Sequence, residues 1–340
     1  MISLSVPKKH HYVPCVYLQR WEDTEKLLWL YNICDATVSH RNKASVLYED
    51  YLYSLTLREF DLMTTEQKIF FLEPLKEYSV FWRGKELTPT EIALNLDAYD
   101  QFRIVRKDGK PIKPRHKANL LDAIINGKHP LIENKFGTIE QLWSKTADFF
   151  DEYRNMVVKQ NIMLPSADII TYHCKNLLEF TFATYTRNPY NIVQSIMRYE
   201  KEQDDIVPNN ICRRIFEMLQ LKYLNGEQKL FNVEEFDIRC IFTAPGYHFL
   251  TSDNPVCIRP IFIENVDFTG VFWFPISPHT LIALSKKPES DLEDHTLHIY
   301  HYLISGESVK TFNRYICENA ANFIISSEFI DDPRFRKRIN

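Results

Sequence analysis

A chain of 340 residues with 45% hydrophobic and 25% charged side chains has the composition of a globular protein with an ample core, and its 23 Phe and 18 Tyr argue for a packed interior over disorder. The net charge of −4 speaks against nonspecific coating of nucleic acid, which rests on Lys and Arg meeting phosphates, although a local basic patch is compatible with it. Only eight glycines occur, the closest pair being Gly127 and Gly137, so the GxGxxG, GxxxxGK and GxSxG motifs are absent and dinucleotide, P-loop and nucleophile-elbow chemistry is disfavoured.

The opening MISLSVPKKHHY has no apolar h-region, and no apolar run approaches the ~18 residues of a membrane span. A cytoplasmic protein without a membrane partner is the expectation. The seven cysteines, at 15, 34, 174, 212, 240, 257 and 317, form no CxxC and are expected to be reduced and mostly buried. Residues 12–20 read as a short helix with Pro14 in its first turn, where a missing N–H costs nothing. A hairpin follows, with KLLWLYN (26–32) and ATVSH (36–40) around Cys34-Asp35. TTEQKIFFLEPLKEYSVF (64–81) is helical in character, with Pro74 as a kink or break.

FRIVRKDGKPIKPRHK (102–117) predicts a strand, an Asp-Gly turn and a second strand weakened by prolines. It carries Arg103, Arg106, Lys107, Lys110, Lys113, Arg115 and Lys117. Residues 118–225 are dominated by helical signals, including a capping box from Thr138 to Gln141 and a helix from Ser166 to about Asn188, stopped by Pro189. After 230 the chain turns to short β-branched and aromatic runs, FDIRCIFTA, YHFLTS, PVCIRPI, GVFWFPIS and TLIALS, then a helix over 307–321 and a last strand NFIISS. The class is α+β: a helical middle packed on a mostly antiparallel sheet that the N-terminal hairpin joins. Residues 1–327 are read as one large unit, with 328–340 as a basic tail.

Several polar groups can carry chemistry. His10 and His11 in HHYVP titrate near neutrality and suit acid–base or metal-ligand roles, but adjacent side chains of an extended segment point to opposite sides, so one packs and one is solvated in the plainer reading. Asp253, with Ser252 and Asn254 in TSDNPV, sits on a turn that Pro255 stiffens; it can orient an imidazole, or simply satisfy local N–H groups. Arg187 ends a long apolar helix, where it can clamp phosphate or carboxylate, or only cap the helix dipole. Glu133 and Glu140 lie seven apart, but Gly137 and the Thr138 cap interrupt the shared face, so Glu140 is read as a surface acid. HTLHIYH (295–301) gathers no three ligands in either a strand or a helix. The cations of 103–117 are ordinarily a solvated face, yet form the best nucleic-acid patch in the chain; they lack interleaved aromatics.

In order, these pieces resemble the bacterial domain-of-unknown-function family 4238. The likeness lies in HHYVP-x-x-YL (His10 to Leu18), an acid in a helix matched to Glu133, Arg187-Asn188-Pro189, Thr251 to Val256, and Pro275-Ile276-Ser277-Pro278. A late N…A..F[IV].S pattern matches Asn313, Phe323 and Ser326. Asn188 stands where threonine is common and Ile276 where leucine is expected. The resemblance covers about residues 10–327 and brings no activity with it. It implies a shared pocket, with one imidazole held toward Asp253.

The first functional expectation is therefore a phosphodiester-directed hydrolase, a nuclease-like defence or toxin effector. His10 or His11 is its acid–base group, Asp253 and Glu133 orient that group or hold a divalent ion, and Arg187 meets phosphate. Ser252, Asn254, Ser277, Asn313, Arg103, Arg106 and Lys107 are its binding residues, and nucleic acid or a nucleotide its partner. No cofactor is assigned beyond that divalent metal. The alternative is a noncatalytic binding or protein-interaction module, alone or as a homo-oligomer, whose His and Asp motifs are structural.

Overall fold

The computed structural model describes residues 9–50, 52, 64–125, 131–163, 165–191, 235–258, 261–263, 266–268, 271–287 and 296–331. In chain order its elements begin with β1 (Lys9–His11), α1 (Cys15–Leu18), β2 (Leu28–Asn32), β3 (Val38–Arg41), β4 (Tyr48–Asp50) and α2 (Thr65–Phe70). There follow β5 (Tyr78–Trp82), β6 (Lys85–Glu86), α3 (Pro89–Leu94), β7 (Arg103–Arg106), α4 (Pro114–Ile125), α5 (Leu131–Val158) and α6 (Ala167–Arg187). The last part holds β8 (Phe236–Thr243), β9 (Thr251–Ser252), β10 (Cys257–Ile258), β11 (Ile261–Ile263), β12 (Val266–Phe268), β13 (Val271–Ser277), β14 (Thr280–Lys286), β15 (Ile299–Ile304), α7 (Gly306–Asn319) and β16 (Phe323–Ser326). The class is α+β. No helix among the described residues is long and apolar enough to cross a membrane.

Where the sequence is read as one unit, contacts group the residues into two. Among the described residues the first holds those within 9–10 and 50–135, and the second those within 11–49, 136–191 and 235–331. In the first, β6-β5-β7 form an antiparallel sheet whose inner face buries Val80 and Ile104. Helix α3 starts cleanly because Thr88 and Glu91 close a capping box and Pro89 occupies the first turn. The expected 64–81 helix is corrected here: α2 ends at Phe70, Glu73–Leu75 make one tight turn at Pro74, and Tyr78–Trp82 are strand. The Asp-Gly turn is present, with Gly109 at φ +81 donating to the Arg106 carbonyl at 2.8 Å. The strand after it is reduced to a single bridge between Val105 and Pro111, because prolines donate nothing to a ladder.

In the second unit a five-stranded sheet has the order β10-β13-β14-β8-β15, antiparallel except that β15 runs parallel to β8. A separate four-stranded antiparallel sheet has the order β3-β2-β16-β9. The N-terminal hairpin thus joins C-terminal strands, but in this smaller sheet. One buried cluster includes Tyr31 and Ile324 of the small sheet, Ile241, Trp273 and Leu281 of the large one, and Phe312 and Ile316 of α7. Each such side chain contributes about 1.5–3 kcal/mol on leaving water. Helices α5 and α6 lock through Trp143 stacked on Phe180 at 3.7 Å, with Tyr17 packed beside them. Helix α5 starts at Leu131 and runs through Gly137, so the predicted Thr138 cap is corrected. One glycine costs about 1 kcal/mol, which the buried face of Phe136, Ile139, Trp143 and Phe150 outweighs. The helical prediction over 192–225, Cys212, His295 and most of the basic tail lie outside the described residues.

Candidate functional site

Strand β9 is short because its partner ends and Pro255 approaches; it delivers Asp253 and Asn254 into a fully buried turn. The Asp253 carboxylate accepts from the backbone N–H groups of Ala321 (2.8 Å), Asn322 (2.7 Å) and Phe323 (3.1 Å). Among the described residues no imidazole bonds to it, which corrects the expected His–Asp pair: the anion faces consecutive amides instead. Burial pushes this carboxyl up to about 6, against the pull of those amides. Asn254 donates to the Asn319 carbonyl at 3.2 Å, and Asn319 returns bonds to the carbonyls of Asn254 and Val256. Ser252 Oγ accepts from Asn254 N–H at 3.1 Å.

The same buried network takes in the RNP motif. Pro189 forces Asn188 into extended geometry at the end of α6, and its Nδ2 donates to the Asp253 carbonyl at 2.7 Å. Asn322 donates to Tyr190 Oη at 2.8 Å. Tyr190 meets Tyr12 edge-on at 5.6 Å, and burial raises the Tyr12 hydroxyl far above its ordinary value. Arg187, 1% exposed, donates to Glu140 Oε1 and to the His11 carbonyl while its guanidinium lies 4.5 Å over Phe136. Glu140 is therefore the ion-pair partner on α5, not a surface acid. The uninterrupted helix is what carries it there. Asn188 thus ties the end of α6 to Asp253, while Arg187 beside it bonds Glu140 and the His11 backbone. The His11 ring lies 5.6 Å from Tyr48. His10 is fully buried and Glu133 half-buried at the start of α5, both counted with the first unit.

Ser277 and Asn313 serve a different place, a cleft of about 430 Å³ in the second unit lined by Arg20, Asp151, Arg154, His248, Ser277 and His279 among others. Asp151 Oδ1 accepts from Ser277 and Thr280 hydroxyls, both at 2.8 Å, and Arg20 lies 3.5 Å from its second oxygen. Asn313 clamps the segment between β8 and β9 that carries His248, donating to the His248 carbonyl (2.9 Å) and accepting from Leu250 N–H (2.8 Å). The His248 and His279 rings are 4.8 Å apart. Burial first, then the charges of Arg154 and His248, hold the His279 imidazole below its ordinary value, favouring the neutral ring. Sequence reasoning missed both histidines, although His279 directly follows Pro275–Pro278 and His248 lies three residues before Thr251. Arg103, Arg106 and Lys107 lie on β7 and its turn in the first unit, exposed. Among the described residues no group of three His, Cys, Asp or Glu is placed to hold a metal ion.

Compared with known proteins, residues 9–221 and 225–328 match the model of the family described as Protein of unknown function (DUF4238). No curated protein and no solved structure matches the chain. Covering nearly the whole chain, the family match establishes that this protein belongs to DUF4238.

Proposed function

We propose that the chain is a noncatalytic binding protein acting inside the cell, and that its motif side chains serve the fold. One observation carries the reading: the Asp253 carboxylate is fully buried and engaged by three backbone amides rather than by an imidazole. A group so engaged is a clamp between β9 and the segment before β16, not an acid–base partner. Asp253→Ala separates the two ideas. A structural clamp predicts a markedly lower melting temperature, whereas a catalytic aspartate predicts intact or raised stability with function lost.

A hydrolytic reading, the nuclease-like defence or toxin effector that the sequence favours, draws on the cleft instead. There a neutral His279 beside His248 can pass a proton, and Arg20 and Arg154 can face phosphate charge. Its test is cleavage of RNA and DNA with Mg²⁺ or Mn²⁺ by wild type and His279→Ala. Cleavage lost in the variant supports it; equal cleavage, or none from either across substrates and metals, ends it.

A further inference from the structure

We propose that the outer face of the β6-β5-β7 sheet in the first unit docks single-stranded nucleic acid. The inference deepens the binding reading, on which it rests, by naming the partner's class.

The linear stretch 102–117 sets seven Lys and Arg against one carboxylate, Asp108, in a chain whose net charge is −4. Its one Phe, Phe102, is buried, but strand pairing supplies an outward ring. The β5–β7 register places Phe81 directly opposite Arg103, so both project from the face opposite the buried Val80 and Ile104. The Arg103 guanidinium lies 4.7 Å from the Phe81 ring centroid. At the end of the same hairpin, Arg83-Gly84 form a two-residue turn with φ +49 and +81, closing the Trp82–Lys85 pair. A left-handed conformation is unfavourable for arginine, yet the Arg83 guanidinium lies 4.2 Å from the Trp82 ring. Trp82 alternates with Phe81 and turns toward the buried Phe102 at 6.2 Å, so this pair closes the end of the hairpin and Phe81 with Arg103 alone forms the outer-face platform.

Arg83 and Arg103 are exposed, and among the described residues no carboxylate pairs with either. The neighbouring cations are only loosely held. Lys107 lies 3.6 Å from Glu77, while Arg106 and Lys110 share Asp108 at 3.9 and 3.5 Å, all at the surface. Such pairs are worth little in water and yield readily to a phosphate. Cations track a phosphate backbone, and an aromatic ring beside a guanidinium, as Phe81 lies beside Arg103, offers a stacking surface to a base. A duplex hides its base faces, so the combination of ring and charge selects an unpaired strand over a double helix or a bare polyanion.

The test uses the full chain and fluorescence anisotropy with labelled 20-nucleotide oligo-U and oligo-dT, a duplex of equal length, and heparin as competitor. Expected are binding of the single strands in preference to the duplex, and a log–log salt slope of about −2 to −3 for three or four phosphates. Phe81→Ala is expected to weaken binding about tenfold, with Phe81→Tyr restoring it. Arg103→Glu, an exposed change, is expected to weaken it at least as much with unchanged melting temperature. Binding of either oligo-U or oligo-dT with this pattern supports the proposal. No binding at 50 mM salt, or equal affinity for duplex, or full displacement by heparin with Phe81→Ala silent, overturns it. None of these readouts involves Asp253, so failure here is distinct from failure of the clamp.

Discussion

Replacing Asp253 with alanine sets two opposed energies against each other. The carboxylate has no exposed surface and accepts three backbone N–H bonds. Each buried amide left without an acceptor costs about 1–3 kcal/mol, so three cost roughly 5 kcal/mol. Against this stands the burial of charge. A carboxyl raised from 3.8 to about 6 is a disfavoured anion in the fold, and at 1.36 kcal/mol per unit alanine relieves about 3 kcal/mol near neutrality. The hydrogen bonds win, leaving a net loss of about 2 kcal/mol. Acidification changes only the charge contribution. Because the folded value is raised, the native carboxyl takes up its proton ahead of the unfolded chain as pH falls from about 6 toward 3.8. Wild type therefore gains stability through that window and loses it as pH rises through the folded value. By pH 5 the gain is roughly 1–2 kcal/mol, which alanine cannot share. Thermal unfolding of both proteins, followed by tryptophan fluorescence at pH 5 and 7.5, reads the difference. At about 2–3 °C per kcal/mol, the variant is expected to melt ~5 °C lower at pH 7.5 and nearer ~9 °C lower at pH 5. Equal melting temperatures, or a deficit that shrinks on acidification, would refute the reasoning.

Other expectations follow from the same contacts. Arg187→Met leaves Glu140 and the His11 carbonyl without their donor, and is expected to cost about 3 kcal/mol in urea denaturation. Glu140→Gln, at a side chain 22% exposed, costs less, and the double variant costs less than the sum. Tyr17→Phe removes the hydroxyl that meets Thr251 at 2.6 Å and the Pro275 carbonyl at 2.8 Å; a loss of about 1–2 kcal/mol with an unchanged m-value is expected. The lowered imidazole of His279 has the opposite sign to Asp253: the unfolded chain binds the proton more readily, so wild type loses stability as pH falls below the ordinary imidazole value. His279→Gln is expected to flatten that decline in the same melting series.

Local signals carried much of the architecture. The 28–41 hairpin, the end of α6 at Arg187-Asn188-Pro189 and the strands after 230 follow from alternation and from proline stops, which act within a few residues. Strand β5 was not legible as such because IFFLEPLKEY reads as an amphipathic run, although Val80 and Trp82 alternate and Arg83-Gly84 is a turn signal. Gly137 and Thr138 imitate a helix boundary inside α5, which packing overrides. The site was harder. Asp253 finds amides 68 to 70 residues away, and Arg187 finds Glu140 across 47; no periodicity encodes such pairings. The motif residues were recognisable as a set, but residue type alone does not distinguish a carboxylate that serves a proton from one that serves three amides.

Strand β16 lies between β2 and β9, with Ser326 opposite Trp29 and Phe323 opposite Asn32. The β2–β3 hairpin, made before β16, therefore carries an open edge of N–H and C=O groups until almost 300 residues later. At roughly 5–20 residues per second, that interval is about 15–60 s. An unpaired strand edge is a template for other chains, so nascent molecules halted short of Phe323 are the species in which sticking between copies concentrates, and β16 is the strand that seals the sheet.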